Sequence, residues 1–263
     1  MDLQLQGRTA IVLASSKGLG KATALQLAKE GANVTLSGRS EETLRLAAEE
    51  LEAAAGGRKP LAVQADVTKA DDIARIVRET AERFGAVDIL INNAGGPAPG
   101  TFDRLTDEQW QQGFELTLLS FVRSIREALP YMRKQRFGRI VNFTSTSMKQ
   151  PIDNLLLSTT FRVGVMGLAK SLASELAPSG ILINTLGPGR FATDRVLHLD
   201  GIQAEAAGMP LAQIQAQEAA RIPLGRYGEP EEFGRLAAFL ASPANSYMTG
   251  QALLIDGGVV KAM

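Results

Sequence analysis

The chain has 263 residues, 45% hydrophobic and 21% charged, with a formal net charge of +0. That length and balance suit one large α/β domain with a full core, and a neutral chain has no global attraction for nucleic acid or an anionic membrane. There is no cysteine and only one histidine, His198, which excludes disulfides, cysteine nucleophiles and metal sites rich in thiolate or histidine.

Read in chain order, apolar runs alternate with helical patterns. Thr9–Leu13 reads as a buried strand, Gly20–Glu30 as a helix stopped by Gly31, and Asn33–Ser37 as the second strand. Glu41–Ala55 is a helix closed by Gly56-Gly57, and Leu61–Gln64 the third strand. A helix over Asp71–Phe84, a strand at Ile89–Asn92 and a long helix over Glu108–Tyr131 follow. Strands at Arg139–Phe143, Ile181–Thr185 and Ala252–Ile255 then alternate with helices over Leu156–Leu176 and Glu231–Leu240. Strands apolar on both faces, each followed by a helix, predict one doubly wound Rossmann-type α/β domain over 1–263: a seven-stranded parallel sheet covered on both sides. The Gly95–Gly100 loop and the broken stretch Pro188–Arg226 interrupt the rhythm, and both follow strands. They are therefore expected at the carboxyl edge, where such sheets bind ligands. Residues of about 190–219 are expected to form a lid. No apolar run is long enough to span a bilayer, and Met1-Asp2-Leu3-Gln4 does not open a signal peptide, so a cytoplasmic protein is expected.

The first strand runs into Ala14-Ser-Ser-Lys-Gly18-Leu19-Gly20 and then a helix. Such a turn aims free backbone N–H groups and the positive end of the helix at a phosphate. About twenty residues on, where a carboxylate would grip a ribose 2′-hydroxyl, the chain has Ser37-Gly38-Arg39. The forked guanidinium of Arg39 suits a 2′-phosphate, and Lys17 adds a second cation, so NADP(H) is preferred over NAD(H).

These features, with Asp66-Val67, Asn92-Asn-Ala-Gly95, Pro188-Gly189 with Thr193, Thr249-Gly-Gln251 and Asp256-Gly-Gly258, make essentially the whole chain resemble the short-chain dehydrogenase/reductase family, in particular 3-oxoacyl carrier-protein reductases. The resemblance implies Ser16, Lys17, Gly18 and Leu19 at the cofactor's phosphates and Asp66 and Val67 at its adenine. It implies Asn93, Ala94 and Gly95 along the ribose, with Pro188, Gly189, Phe191 and Thr193 around the nicotinamide and pyrophosphate. It further implies a carbonyl or alcohol substrate, including acyl thioesters, and a homotetramer. No metal, nucleic acid or membrane partner is expected. Ala14 departs from the family's first glycine, and an altered fit is expected there.

The catalytic end departs further. The family uses a serine, a tyrosine, a lysine and a helix asparagine. Here the serine is Ser145, but the tyrosine falls on Ser158, the lysine on Arg162 and the asparagine on Thr117. Serine is a far weaker acid than tyrosine, and arginine cannot run a proton relay, although it can bind ribose or steady an oxyanion. Two main readings follow. One is a reductase with a rebuilt site, in which Ser145 orients the carbonyl and Arg162 holds the ribose and stabilises charge. Its proton comes through Ser158, water, or a lid residue such as His198 or Tyr227. The other is a non-catalytic NADP(H)-binding protein, a sensor or assembly subunit; a third, minor one keeps the fold for another ligand. Arg190 and Arg195 flank Thr193 and are candidates to meet a phosphate or an anionic substrate, and Lys149 is expected in solvent.

Overall fold

The computed structural model describes residues 1–262. Its strands are β1 (Thr9–Val12), β2 (Asn33–Gly38), β3 (Leu61–Gln64), β4 (Ile89–Asn92), β5 (Gly138–Phe143), β6 (Ile181–Pro188) and β7 (Ala252–Ile255). They form a seven-stranded sheet in the order β3-β2-β1-β4-β5-β6-β7, and every pairing is parallel. The order reverses between β1 and β4, so a crevice opens at their carboxyl ends.

Alternation along the central strands divides the core. Ala10 and Val12 of β1 and Ile89 and Ile91 of β4 face α1 (Gly18–Lys29), α2 (Glu41–Ala54) and α9 (Pro230–Leu240). Ile11, Leu13 and Leu90 face α3 (Ala70–Phe84), α5 (Ser120–Gln135) and α6 (Leu156–Leu176). Burial of each of the larger side chains, Val12, Ile89, Ile91, Ile11, Leu13 and Leu90, contributes about 1.5–3 kcal/mol. The edge strand β7 is only half-buried along its length.

Two elements differ from the sequence reading. The helix expected over Glu108–Tyr131 is α4 (Asp107–Phe114), a π-helical turn (Glu115–Leu119) and α5. The Thr117 hydroxyl donates to Gly113 O and the Ser120 hydroxyl to Leu116 O, both at 2.6 Å. Such back-bonding competes for helix carbonyls and accompanies the wider turn. The segment of about 190–219, read from sequence only as part of a broken stretch, holds two full helices, α7 (Asp194–Ala207) and α8 (Leu211–Ala220). Gly208, at φ 62°, and Pro210 separate them.

Ala14, two residues past β1, has φ 47°, a left-handed conformation that a side chain disfavours. Its amide donates to Ser37 Oγ and its carbonyl accepts from Asn93 Nδ2, so neighbours hold it there. Ala14→Gly is expected to raise the unfolding free energy by about 0.5–1 kcal/mol, because relief of strain exceeds the entropy glycine adds to the unfolded chain. Urea denaturation measures this, and a loss of stability would show that the strain is absent.

Candidate active site

The glycine turn is assembled from three strand ends. Ser15 donates its hydroxyl to Val12 O, and its amide donates to Ser37 O. Asn93, at the end of β4, donates Nδ2 to Ala14 O at 3.0 Å. A side chain at Gly20 would come within 2.7 Å of both Ala14 O and Asn93 Nδ2, so only glycine lets α1 start this close to the strands. Gly18 has φ 57°, and a Cβ there would lie 3.7 Å from Thr193 Cγ2. The turn and the start of α7 thus face each other. Thr193 caps α7 by accepting from Val196 N at 3.5 Å.

Lys17 is the exposed N-cap residue of α1, Leu19 packs against the core, and the Ser16 hydroxyl lies beside Gly38, where a Cβ would meet it at 3.0 Å. Arg39 follows Gly38 and is exposed. Neither Lys17 nor Arg39 forms an ion pair among the described residues. An open phosphate cradle bordered by two free cations fits a dinucleotide bearing an added phosphate. Val67 is buried, and Asp66 lies beside it at the end of β3, its Oδ1 accepting from Thr68 N and Oγ1. Ala94 is half-buried, and Gly95 is exposed with open space where a side chain would lie. Pro188 ends β6, while Gly189 packs so tightly on Asp256 that a Cβ would sit 2.6 Å from its Cα. The Phe191 ring is turned into the core, edge-on to Phe233 at 5.4 Å. Any contact it makes in the crevice therefore falls to its backbone.

Ser145 and Arg162 meet the end of β5, and Ser158 lies one turn before Arg162 on α6. Ser145 follows β5, and its Oγ accepts from Ser147 N at 3.1 Å, which fixes the hydroxyl in the turn. Ser158 and Arg162 lie one turn apart on α6 and are both buried. The Ser158 hydroxyl has no hydrogen-bond partner among the described residues. Arg162 Nη1 donates to Phe143 O at 2.6 Å, while its Nε is buried and unpartnered. Burial, and secondarily the charge of Arg195, push its pKa down to about 10. It stays charged at neutral pH, but at a cost. Thr117 spends its hydroxyl on its own helix.

Tyr227 and the residues of the 190–219 segment sort differently from the sequence reading. Tyr227 is not a free proton source: its hydroxyl donates to Asp200 Oδ2 at 2.9 Å, and burial together with that bond raises its pKa to about 12. Arg190 does not offer itself to a phosphate either. It pairs with Asp200, which is fully buried, and with Glu218 at 3.3 Å, tying α7 and α8 to the end of β6. His198 and Lys149 are exposed. What sequence reasoning missed is that the Arg195 guanidinium lies against Gly96, where a Cβ would be 2.6 Å from Nη2. No local pattern signals a contact between segments so far apart in the chain.

A family model described as enoyl-(acyl carrier protein) reductase matches residues 13–260. A 3-oxoacyl-[acyl-carrier-protein] reductase of Synechocystis sp. is 35% identical over 97% of this chain and 98% of its own length. The L-sorbose reductase of Gluconobacter frateurii, solved with NADPH and L-sorbose, superposes with a TM-score of 0.96 and 31% identity over 100% of both chains. YwfH, an NADPH-dependent reductase involved in bacilysin biosynthesis, gives a TM-score of 0.92 and 32% identity over 97% of this chain and 99% of its own. The chain belongs to the short-chain dehydrogenase/reductase family.

A buried guanidinium with an unpartnered Nε is a net cost to the fold. Arg162→Met is expected to raise the unfolding free energy by about 1–3 kcal/mol in the protein without ligand. Thermal and urea denaturation check this, and a marked destabilisation would mean that the bond to Phe143 O outweighs the desolvation.

Proposed function

We propose that this protein is an NADP(H)-dependent oxidoreductase that interconverts a carbonyl and an alcohol. The observation that carries this reading is the phosphate cradle flanked by the unpaired Lys17 and Arg39, on a chain whose family membership is plain. That solved relatives include NADPH-dependent and NADPH-bound reductases supports the same cofactor here. Ser16, Lys17, Gly18 and Leu19 would hold the phosphates, with Arg39 and Lys17 reading the 2′-phosphate and Asp66 and Val67 at the adenine. Asn93, Ala94, Gly95 and Arg162 would line the ribose, and Pro188, Gly189, Phe191 and Thr193 the nicotinamide. Bound there, the cofactor supplies or accepts a hydride.

The chain's own residues have the remaining work. Ser145, its hydroxyl fixed by Ser147 N, can donate to the substrate oxygen. Arg162, a cation at neutral pH one turn beyond Ser158, stabilises negative charge developing on that oxygen. Neither serine nor arginine is an acid of useful strength near neutrality, so the proton reaches the oxygen from water, passed through the free Ser158 hydroxyl. α7 and α8, pinned by the Arg190–Asp200–Glu218 cluster, form the lid that limits solvent around this oxygen. The non-catalytic alternative draws no support from the relatives, whose names are those of reductases.

The proposed substrates are small carbonyl or alcohol compounds, with acyl thioesters among those to try. A homotetramer goes with this reading: β7 is half-exposed along its length, and the outer face of α6 carries exposed Val163. So does a cytoplasmic location, where NADPH is made and used.

Two measurements test the proposal. By fluorescence titration the parent protein binds NADPH more tightly than NADH, and Arg39→Ala weakens NADPH by about 10-fold or more while NADH changes little. Equal parent affinities would refute the cofactor assignment. In steady-state NADPH oxidation over ketones and 3-oxoacyl thioesters, Ser145→Ala lowers kcat by about 100-fold or more. Turnover that is indifferent to this change would remove Ser145 from the chemistry.

A further inference from the structure

The catalytic end of the crevice holds more positive charge than reduction of a neutral ketone requires. Arg162 is buried there with Nε unpartnered. Arg195 reaches from α7 to lie against Gly96, just past β4. Neither forms an ion pair among the described residues. After burial, the charge of Arg195 lowers the pKa of Arg162, like charge on like charge. Arg195 also stands in the first turn of α7, beside Asp194, where the positive end of the helix disfavours a cation. Two guanidinium groups on different elements thus stand at this edge, neither in an ion pair with a carboxylate among the described residues. The other arginine of the lid segment, Arg190, shows the usual remedy, since it is matched by both Asp200 and Glu218. An unmatched pair at a ligand-binding edge is what an anionic ligand completes.

We propose that Arg195, backed by Arg162, reads an anionic group on the substrate, so that the preferred substrates are carbonyl compounds bearing a carboxylate. This rests on the reductase reading of the same crevice. An oxyanion could also belong to the cofactor's diphosphate. Arg162, one turn from Ser158 on α6 and anchored on Phe143 O at the end of β5, puts the second guanidinium at the catalytic end rather than at the glycine turn, which favours the substrate. Lys17 and Arg39 already border the glycine turn.

The test pairs carboxylate-bearing ketones of graded length with their methyl esters, using the parent protein and Arg195→Met. Arg195 is exposed, so this variant folds. The parent favours each carboxylate over its ester in kcat/KM, and Arg195→Met lowers that ratio by about 10- to 100-fold, chiefly through KM. Calorimetry of the corresponding hydroxy carboxylates and their esters on the NADP⁺-loaded protein gives a readout independent of turnover, with the same preference and the same loss. Absence of a carboxylate preference in the parent, in kinetics and calorimetry alike, overturns the proposal. So does an Arg195→Met variant that keeps the preference but loses NADPH affinity, which would assign the arginine to the diphosphate. Carboxylate binding without turnover of any ketone would sink the reductase reading and leave the anion site standing.

Discussion

The hydrogen bond from Asn93 Nδ2 to Ala14 O joins the carboxyl ends of the two strands between which the sheet reverses. The rest of the site depends on it. It holds Ala14 in a left-handed conformation, which turns the chain sharply enough for α1 to begin at Gly18 with its amides facing the crevice. Gly20 must lack a side chain because a Cβ there would lie 2.7 Å from both Ala14 O and Asn93 Nδ2, the two ends of this bond. Parallel pairing then delivers the ends of β4, β5 and β6 to the same edge, bringing Gly96, Ser145 and Thr193 into one region. A fold that binds phosphate on backbone amides can change its catalytic side chains while keeping the scaffold, because the two functions draw on different strand ends.

That separation explains how the chain keeps the cofactor end of its family while altering the catalytic end. A tyrosine at position 158 would supply a titratable proton; Ser158 supplies only a hydroxyl through which water can act. A lysine at 162 would reach out as a flexible ammonium; Arg162 instead anchors Nη1 on Phe143 O and leaves Nε for a partner. The site has exchanged an acid for fixed positive charge. Fixed charge suits a reaction in which negative charge grows on a substrate oxygen, and it costs little reorganisation at the moment of transfer.

Much of this was legible in the sequence. Alternating apolar strands and amphipathic helices gave the architecture, because a parallel sheet covered on both faces leaves few other places for Ile11, Leu90 or Ile183. The glycine turn and Arg39 were visible because backbone conformation and phosphate recognition are written in short local patterns. What stayed hidden depends on tertiary contact. The π turn at Thr117 goes with hydroxyl bonds to helix carbonyls that no periodicity reports. The engagement of Tyr227 by Asp200, the matching of Arg190 by Glu218 and the approach of Arg195 to Gly96 all join segments whose spacing carries no signal.

The central claim is that the crevice reduces a carbonyl without an acidic phenol. Its most direct test is the pH dependence of kcat/KM for NADPH oxidation between about pH 6 and 9. Tyr227 is held at about 12 by burial and Asp200, and Arg162 near 10 by burial, so both keep one protonation state across that range. A flat profile is the predicted result. A break within the range would reveal a titrating proton donor in the crevice and contradict the account.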